Sequence, residues 1–252
     1  MFTHAIVRRP GRDFGLGITT QGLGPPSYAL MVEQHGAYVE ALRSLGLQVE
    51  VLDPLPDHPD AHFVEDAAVV TPALAVLTRP GAEARRGEVP SIEAALARHR
   101  PTARIEAPGT LDGGDVLVAD GHVFVGLSGR TNREGAAQLG RHLEAQGFTW
   151  EPVEVGAGLH LKSGVNWLGG GVLLATKAFA SLPPFRPYRI VAAERGEDYA
   201  ANTLWINGCL LTPAGFGGTR RKLDDLGMRV VELDMSEARK MDGGLTCLSL
   251  RF

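Results

Sequence analysis

The 252-residue sequence predicts an α/β propeller, a closed ring of five repeated units, and three observations carry that prediction. A hairpin, a helix or loop, and a further strand recur at a period of roughly 45 residues, which lies in the range of repeat architectures. The last unit, 246–252, can be completed only by the N-terminal strand 4–9, so the chain closes on itself. Finally, Glu65/Asp66, Asp112, His160, Asn202 and Cys247 stand at equivalent starts of successive hairpins, separated by 47, 48, 42 and 45 residues counted from Glu65. In a radial repeat such positions converge near the pseudo-axis. An open α/β sheet is the competing architecture and predicts no such convergence.

The elements follow in order. Residues 4–9 form a strand, and 14–26, with four Gly and two Pro, a surface loop or lid. Ser27 caps a helix whose apolar positions Leu30, Val32, Ala37, Tyr38, Ala41, Leu42 and Leu45 give an amphipathic pattern, stopped by Gly46. Strand 49–52, a Pro-rich loop 53–60, a hairpin of 63–70 with 74–78, helix 90–99 and strand 103–106 come next. Strands 111–118 and 122–127 turn at Asp120-Gly121, a strong hairpin signal between alternating apolar runs. Thr131-x-x-Glu134 reads as a capping box for helix 132–146, which leads into strand 148–155. Strands 160–168 and 172–176 pair across three consecutive glycines, followed by strand 188–192. The fourth hairpin, 201–206 with 210–212, turns at Asn207-Gly208 and precedes helix 218–226 and strand 228–233. In the terminal segment Leu248, Leu250 and Phe252 alternate with Ser249 and Arg251, the period of a half-buried strand with Cys247 at its mouth.

Composition narrows the function. Hydrophobic content of 44%, charged content of 21% and a net charge of -4 describe an ordinary globular protein without the basic surplus of a nucleic-acid binder. One domain spanning 1–252 is expected. Cys209 and Cys247 are too far apart for a paired metal motif and too few for a disulfide framework, which points to a reducing compartment. There is no secretory signal pattern and no run approaching the ~18 apolar residues of a membrane span, so a cytoplasmic location and no membrane partner are expected. His58 and His62 flank Pro59, which argues against the helix a metal pair would need, and no metal is assigned.

A thiol within reach of an imidazole suggests an activated nucleophile. Neighbouring carboxylates oppose it, because negative charge raises a thiol pKa. The combination suits a cationic substrate: a guanidinium or amidinium would neutralise the carboxylates through paired N–H···O bonds and bring its electrophilic carbon to the sulfur. A cysteine protease needs an oxyanion hole and no acidic cluster.

Phe63-Val64-Glu65-Asp66, Leu111-Asp112-Gly113-Gly114-Asp115, Leu127-Ser128-Gly129-Arg130-Thr131-Asn132, Leu159-His160-Leu161-Lys162-Ser163, Ala200-Ala201-Asn202 and Asp242-Gly243-Gly244-Leu245-Thr246-Cys247 resemble the motifs of the dimethylarginine dimethylaminohydrolase family, within the guanidino-group-modifying superfamily. They occur in the family's order across nearly the whole chain. The resemblance implies a pentein, five ββαβ units about a pseudo-five-fold axis, that hydrolyses Nω-methylated arginine to citrulline and a methylamine without metal or cofactor. It implies Cys247 as nucleophile, His160 as proton carrier and Asp112 as the residue orienting His160. Asp66, with Glu65 behind it, would hold the guanidinium, and Asp60 would help bind the substrate. Arg85 and Arg130 would clamp the α-carboxylate, while Ile18 and Met241 would touch the ligand through their backbones. The implied partner is a small molecule, and a homodimer stays open. Each role has a plain structural alternative: Asp112 and Asp115 as turn caps, Arg130 in a surface pair, Glu65 in a structural ion pair.

The competing activity in the superfamily is arginine deiminase. Those enzymes typically carry a second guanidinium-binding Asp two residues past the catalytic His, where this chain has Lys162. A binding protein that kept the fold without catalysis is the alternative from another class, and the intact Cys, His and Asp speak against it.

Overall fold

The computed structural model describes residues 1–156 and 158–252 and contains five separate three-stranded sheets. In chain order the elements are β1 (His4–Arg8), α1 (Tyr28–Ser44), β2 (Gln48–Leu52), β3 (Ala68–Val70), β4 (Ala75–Leu77), α2 (Val89–Leu96), β5 (Thr102–Arg104), β6 (Val116–Ala119), β7 (His122–Leu127), α3 (Arg133–Glu144) and β8 (Thr149–Glu154). There follow β9 (Val165–Gly169), β10 (Val172–Ala175), α4 (Lys177–Ala180), β11 (Arg189–Ala192), β12 (Leu204–Ile206), β13 (Cys209–Pro213), α5 (Gly217–Asp224), β14 (Arg229–Leu233), α6 (Ser236–Lys240) and β15 (Leu250–Arg251).

Every sheet is built alike: an antiparallel pair, then a strand parallel to the second member of that pair. Parallel neighbours need a crossover, and a helix supplies it in each unit. In the unit of β9, β10 and β11 the crossover is the short α4 with a 3-10 turn at Pro183–Phe185, since Pro183-Pro184 cannot extend a helix. The fifth sheet has the order β15-β1-β2, with Ala5 opposite Arg251 and Ile6 opposite Leu250. The ring is therefore closed by the two ends of the chain, as the repeat requires, and the fold is a pentein of ββαβ units. Asp120-Gly121 and Asn207-Gly208 both adopt positive φ at both residues, the conformation a two-residue hairpin turn needs.

Two local expectations are corrected. The predicted leading strands are largely 3-10 turns: Val64–Ala67, Gly113–Asp115, Leu161–Ser163, Asp198–Ala201 and Thr246–Leu248. The reason lies in their polar side chains, which bond backbone groups of the next unit instead of allowing a continuous ladder. Asp66 accepts from the Gly114 amide at 2.9 Å, Asp115 from Leu161 at 2.9 Å and Asn202 from Thr246 at 3.0 Å. The helix predicted at 132–146 is capped by Asn132, which accepts from Gly135 at 2.8 Å, because the Thr131 hydroxyl is spent on Asp115 at 2.7 Å.

Apolar packing is distributed. Five buried clusters each straddle two neighbouring units, as where Val69 and Val76 meet Val116, Val123 and Leu139. This leaves the axis to the polar turns. No helix among the described residues is long and apolar enough to cross a membrane.

Candidate active site

The five 3-10 turns gather the reactive residues around the axis. Cys247 lies in the turn ahead of β15, with its amide donating to the Gly244 carbonyl at 3.2 Å. It shares a cavity with Ile18, Asp60, Asp66, Arg85, Arg130, His160 and Met241, so eight of the ten predicted site residues line one pocket. The other two are Asp112 and Glu65.

Asp112 stands directly behind His160: its Oδ2 is 3.0 Å from His160 Nε2, and its Oδ1 accepts from the Gly81 amide at 2.9 Å. The imidazole is thereby fixed with its other edge toward Asp66. Gly114 makes that approach possible, because a Cβ there would sit 2.7 Å from His160 Nδ1 and 2.9 Å from Asp66 Oδ1. Burial would lower the His160 pKa, but Asp66, the Asp112 hydrogen bond and Asp115 together raise it to about 9. Asp66 is held down to about 2 against its own burial by His160 and Arg85. Cys247 moves the opposite way: burial, then the carboxylates of Glu65 and Asp66, push the thiol up to about 12. At neutral pH the resting pair is thus a thiol facing an imidazolium.

Asp60 accepts from the Ile18 amide at 3.2 and 3.0 Å through its two oxygens and so ties the 14–26 loop to the rim. Asp242 does the same on the opposite side, accepting from the Thr20 amide and the Gln21 side chain, both at 2.6 Å. Arg85 is more engaged than a free clamp would be. It pairs with Asp66, with Glu88 at 2.8 Å and with the Phe63 carbonyl at 2.9 Å, all buried. Among the described residues the Arg130 guanidinium has one distant ion-pair contact, 3.8 Å to Asp112, and it lines the cavity.

Glu65 departs from the expected placement. Its Oε1 accepts from Lys162 at 2.6 Å and Arg251 at 3.0 Å, and it lines a separate axial cavity of about 570 Å³. The two cations draw it there, away from the pocket of its neighbour Asp66, so it acts on Cys247 through space alone. The larger void is therefore not the reactive one. Asn202, another converging residue, lies outside the thiol pocket as a brace, donating to the Lys162 carbonyl and to Thr246 Oγ1, each at 3.2 Å.

Asp66, Asp112 and His160 each offer a ligand-type atom, all within 4.8 Å of one another. The direct contact of His160 with Asp112 and the bond from the Gly114 amide to Asp66 account for that closeness. Sequence reasoning missed Glu88, the counter-ion of Arg85, although its spacing three residues on was a usable signal. It also missed Ser128 and Thr131, whose hydroxyls carry no mark in the sequence beyond their place beside Arg130.

Comparison with known proteins places this geometry. A family model described as N,N dimethylarginine dimethylhydrolase, eukaryotic, matches residues 27–171. The chain is 44% identical to N(G),N(G)-dimethylarginine dimethylaminohydrolase of Pseudomonas aeruginosa over 100% of both chains. It is 39% identical to the protein of the same name from Streptomyces coelicolor over 98% of this chain and 96% of that one. A crystal structure of the Pseudomonas enzyme, a cysteine-to-serine variant complexed with citrulline, superposes with a TM-score of 0.98 at 44% identity over 100% of both chains. A match of that extent, on a ring whose turns bring thiol, imidazole and carboxylates into one pocket, makes the chain a member of the dimethylarginine dimethylaminohydrolase family.

Proposed function

We propose that the protein hydrolyses Nω-methylated L-arginine, asymmetric dimethylarginine or monomethylarginine, to L-citrulline and dimethylamine or methylamine. The observation that carries this is the pairing of a suppressed thiol with an imidazolium beside Asp66 in a family member's pocket. A guanidinium entering the pocket takes the Asp66 carboxylate, and its positive charge offsets the anions that keep Cys247 protonated. The thiol proton leaves to solvent, and the thiolate attacks the central guanidinium carbon. His160 donates its proton to the departing amine as that C–N bond breaks, leaving a covalent thiouronium. The now neutral His160 takes a proton from water as the oxygen adds to the same carbon. Collapse breaks the C–S bond, forms the ureido carbonyl and releases the thiolate and one proton.

Arg130 receives the α-carboxylate, the bidentate task its guanidinium suits. Arg85 joins it by exchange of partners: the substrate cation displaces it from Asp66 and frees a donor for the carboxylate. Asp60, Ile18 and Met241 also line the pocket.

Lys162 favours methylated substrate over arginine. Its ammonium points to Glu65 on the axial side, so the position that holds a second carboxylate in deiminases contributes none to the pocket. Unmethylated arginine then gains no extra charge-assisted bond, and N-methyl groups leave no buried acceptor unpaired, a difference of about 1–3 kcal/mol. Citrulline release from asymmetric dimethylarginine, monomethylarginine, arginine and agmatine tests the reading. The expected result is a kcat/KM for a methylarginine at least about a hundredfold above arginine; equal or better use of arginine would reassign the protein as a deiminase.

A further inference from the structure

Asp115 is fully buried, lies outside the substrate pocket and touches no reacting atom, yet its carboxylate bonds three groups on two segments of the site. It does not cap its own turn. Oδ1 accepts from the amide of Leu161, the residue after His160, at 2.9 Å. Oδ2 accepts the hydroxyl protons of Ser128 at 2.6 Å and Thr131 at 2.7 Å. With those protons committed, both hydroxyl oxygens can only accept. Thr131 Oγ1 takes the amide of Asp112 at 3.1 Å, and Ser128 Oγ takes the amides of Arg130 at 3.0 Å and Thr131 at 3.2 Å.

We propose that Asp115 is a positioning residue which, through Ser128, Thr131 and the Leu161 amide, holds His160, Asp112 and Arg130 in register for the hydrolysis assigned above. The inference rests on that functional reading. Every group around the carboxylate is a donor, so the role demands an acceptor at both oxygens. An Asp115→Asn amide offers one acceptor and one donor: with its NH2 toward Leu161 a donor meets a donor, and with its NH2 toward Ser128 and Thr131 both hydroxyl protons lose their acceptor and must turn away. The segments then move apart by the small amounts that proton transfer does not tolerate, a displacement of about 1 Å costing on the order of a hundredfold.

The test uses the full chain with asymmetric dimethylarginine, and the concentration of competent sites is titrated by covalent labelling of Cys247 with a haloacetamidine. Asp115→Asn is expected to lower kcat per labelled site at least tenfold, whatever fraction of the protein folds. Thr131→Val, which lacks the hydroxyl, is expected to lose at least fivefold per site, and Thr131→Ser, which keeps it, to stay within twofold of wild type. A per-site kcat for Asp115→Asn within twofold of wild type, or equal behaviour of the two Thr131 variants, overturns the positioning role alone. A wild type that labels but releases no citrulline overturns the functional reading and this role with it.

Discussion

Cys247 is poised against reaction in the resting molecule, with burial and two anionic neighbours favouring the thiol. A cationic electrophile should relieve this suppression, whereas a neutral one of similar size should not. At pH 7, labelling of Cys247 by a haloacetamidine is expected to outpace a neutral haloacetamide at least about tenfold beyond their difference toward a free thiol, a ratio equal to one pKa unit or about 1.4 kcal/mol. Equal ratios at Cys247 and at a model thiol would remove the substrate-assisted ionisation. The pH profile carries the imidazole's signature. Cys247 must lose its proton to solvent and His160 must keep its own to discharge the amine, so with the thiol pushed up to about 12 and the imidazole raised to about 9, kcat/KM is expected to rise with pH and to level off at about 9. Activity that keeps climbing through that range would argue against an imidazolium donor. Cys247→Ser is expected to abolish turnover, while Cys209→Ser, buried in β13 away from the pocket, leaves kcat within about twofold as a packing change of one atom.

At the level of elements, the 3-10 turns mark the limit of what was legible. Alternation in 246–252 correctly located β15 and the residue before it, but the strand is only Leu250–Arg251, and Ser249 and Arg251 are turned to the axis rather than to solvent. Periodicity reports which residues avoid water, and here the polar ones avoid it too: Ser249 bonds Tyr38 at 2.5 Å and Arg251 bonds Glu65. Pairings between residues about 190 positions apart leave no local trace, so the placement of Glu65 was not readable. The α3 cap shows the same limit at one residue's resolution. Asn132 accepts from Gly135, while Glu134 meets side chains, those of Gln138 at 3.1 Å and Arg141 at 3.8 Å. Asn132→Ala is expected to cost about 1–2 kcal/mol in chemical denaturation, and Glu134→Ala no more than about 0.5 kcal/mol. Equal costs would restore the capping box.

For the whole molecule, the ring of five was readable because its period and its closure are properties of the chain itself, as were the convergent Asp66, His160 and Cys247. The buried histidines at one joint were not. His35 on α1 and His62 ahead of the first turn are both buried with Nε2 unpartnered, burial being the main cause that lowers them to about 4 and about 3. Both are depressed below their unfolded value near 6.5, so the stability they confer is complete above that pH and drains away as pH falls toward 4 and 3. Denaturant midpoints are expected to drop steeply between pH 6 and 4, and less steeply in His62→Gln; identical slopes would exonerate the pair.

Closure by β1 between β15 and β2 also places the Thr3 and His4 amides on the Phe252 carbonyl, at 2.9 and 2.8 Å. The ring accordingly has no intrinsic first blade, and the present termini are a cut in a circle. A gene that joins residue 252 to residue 3 through a few glycines and begins instead at Gly121, in the exposed turn between β6 and β7, encodes the same circle read from another point. Blade order along the polypeptide is then a matter of inheritance, whereas blade adjacency is a matter of physics.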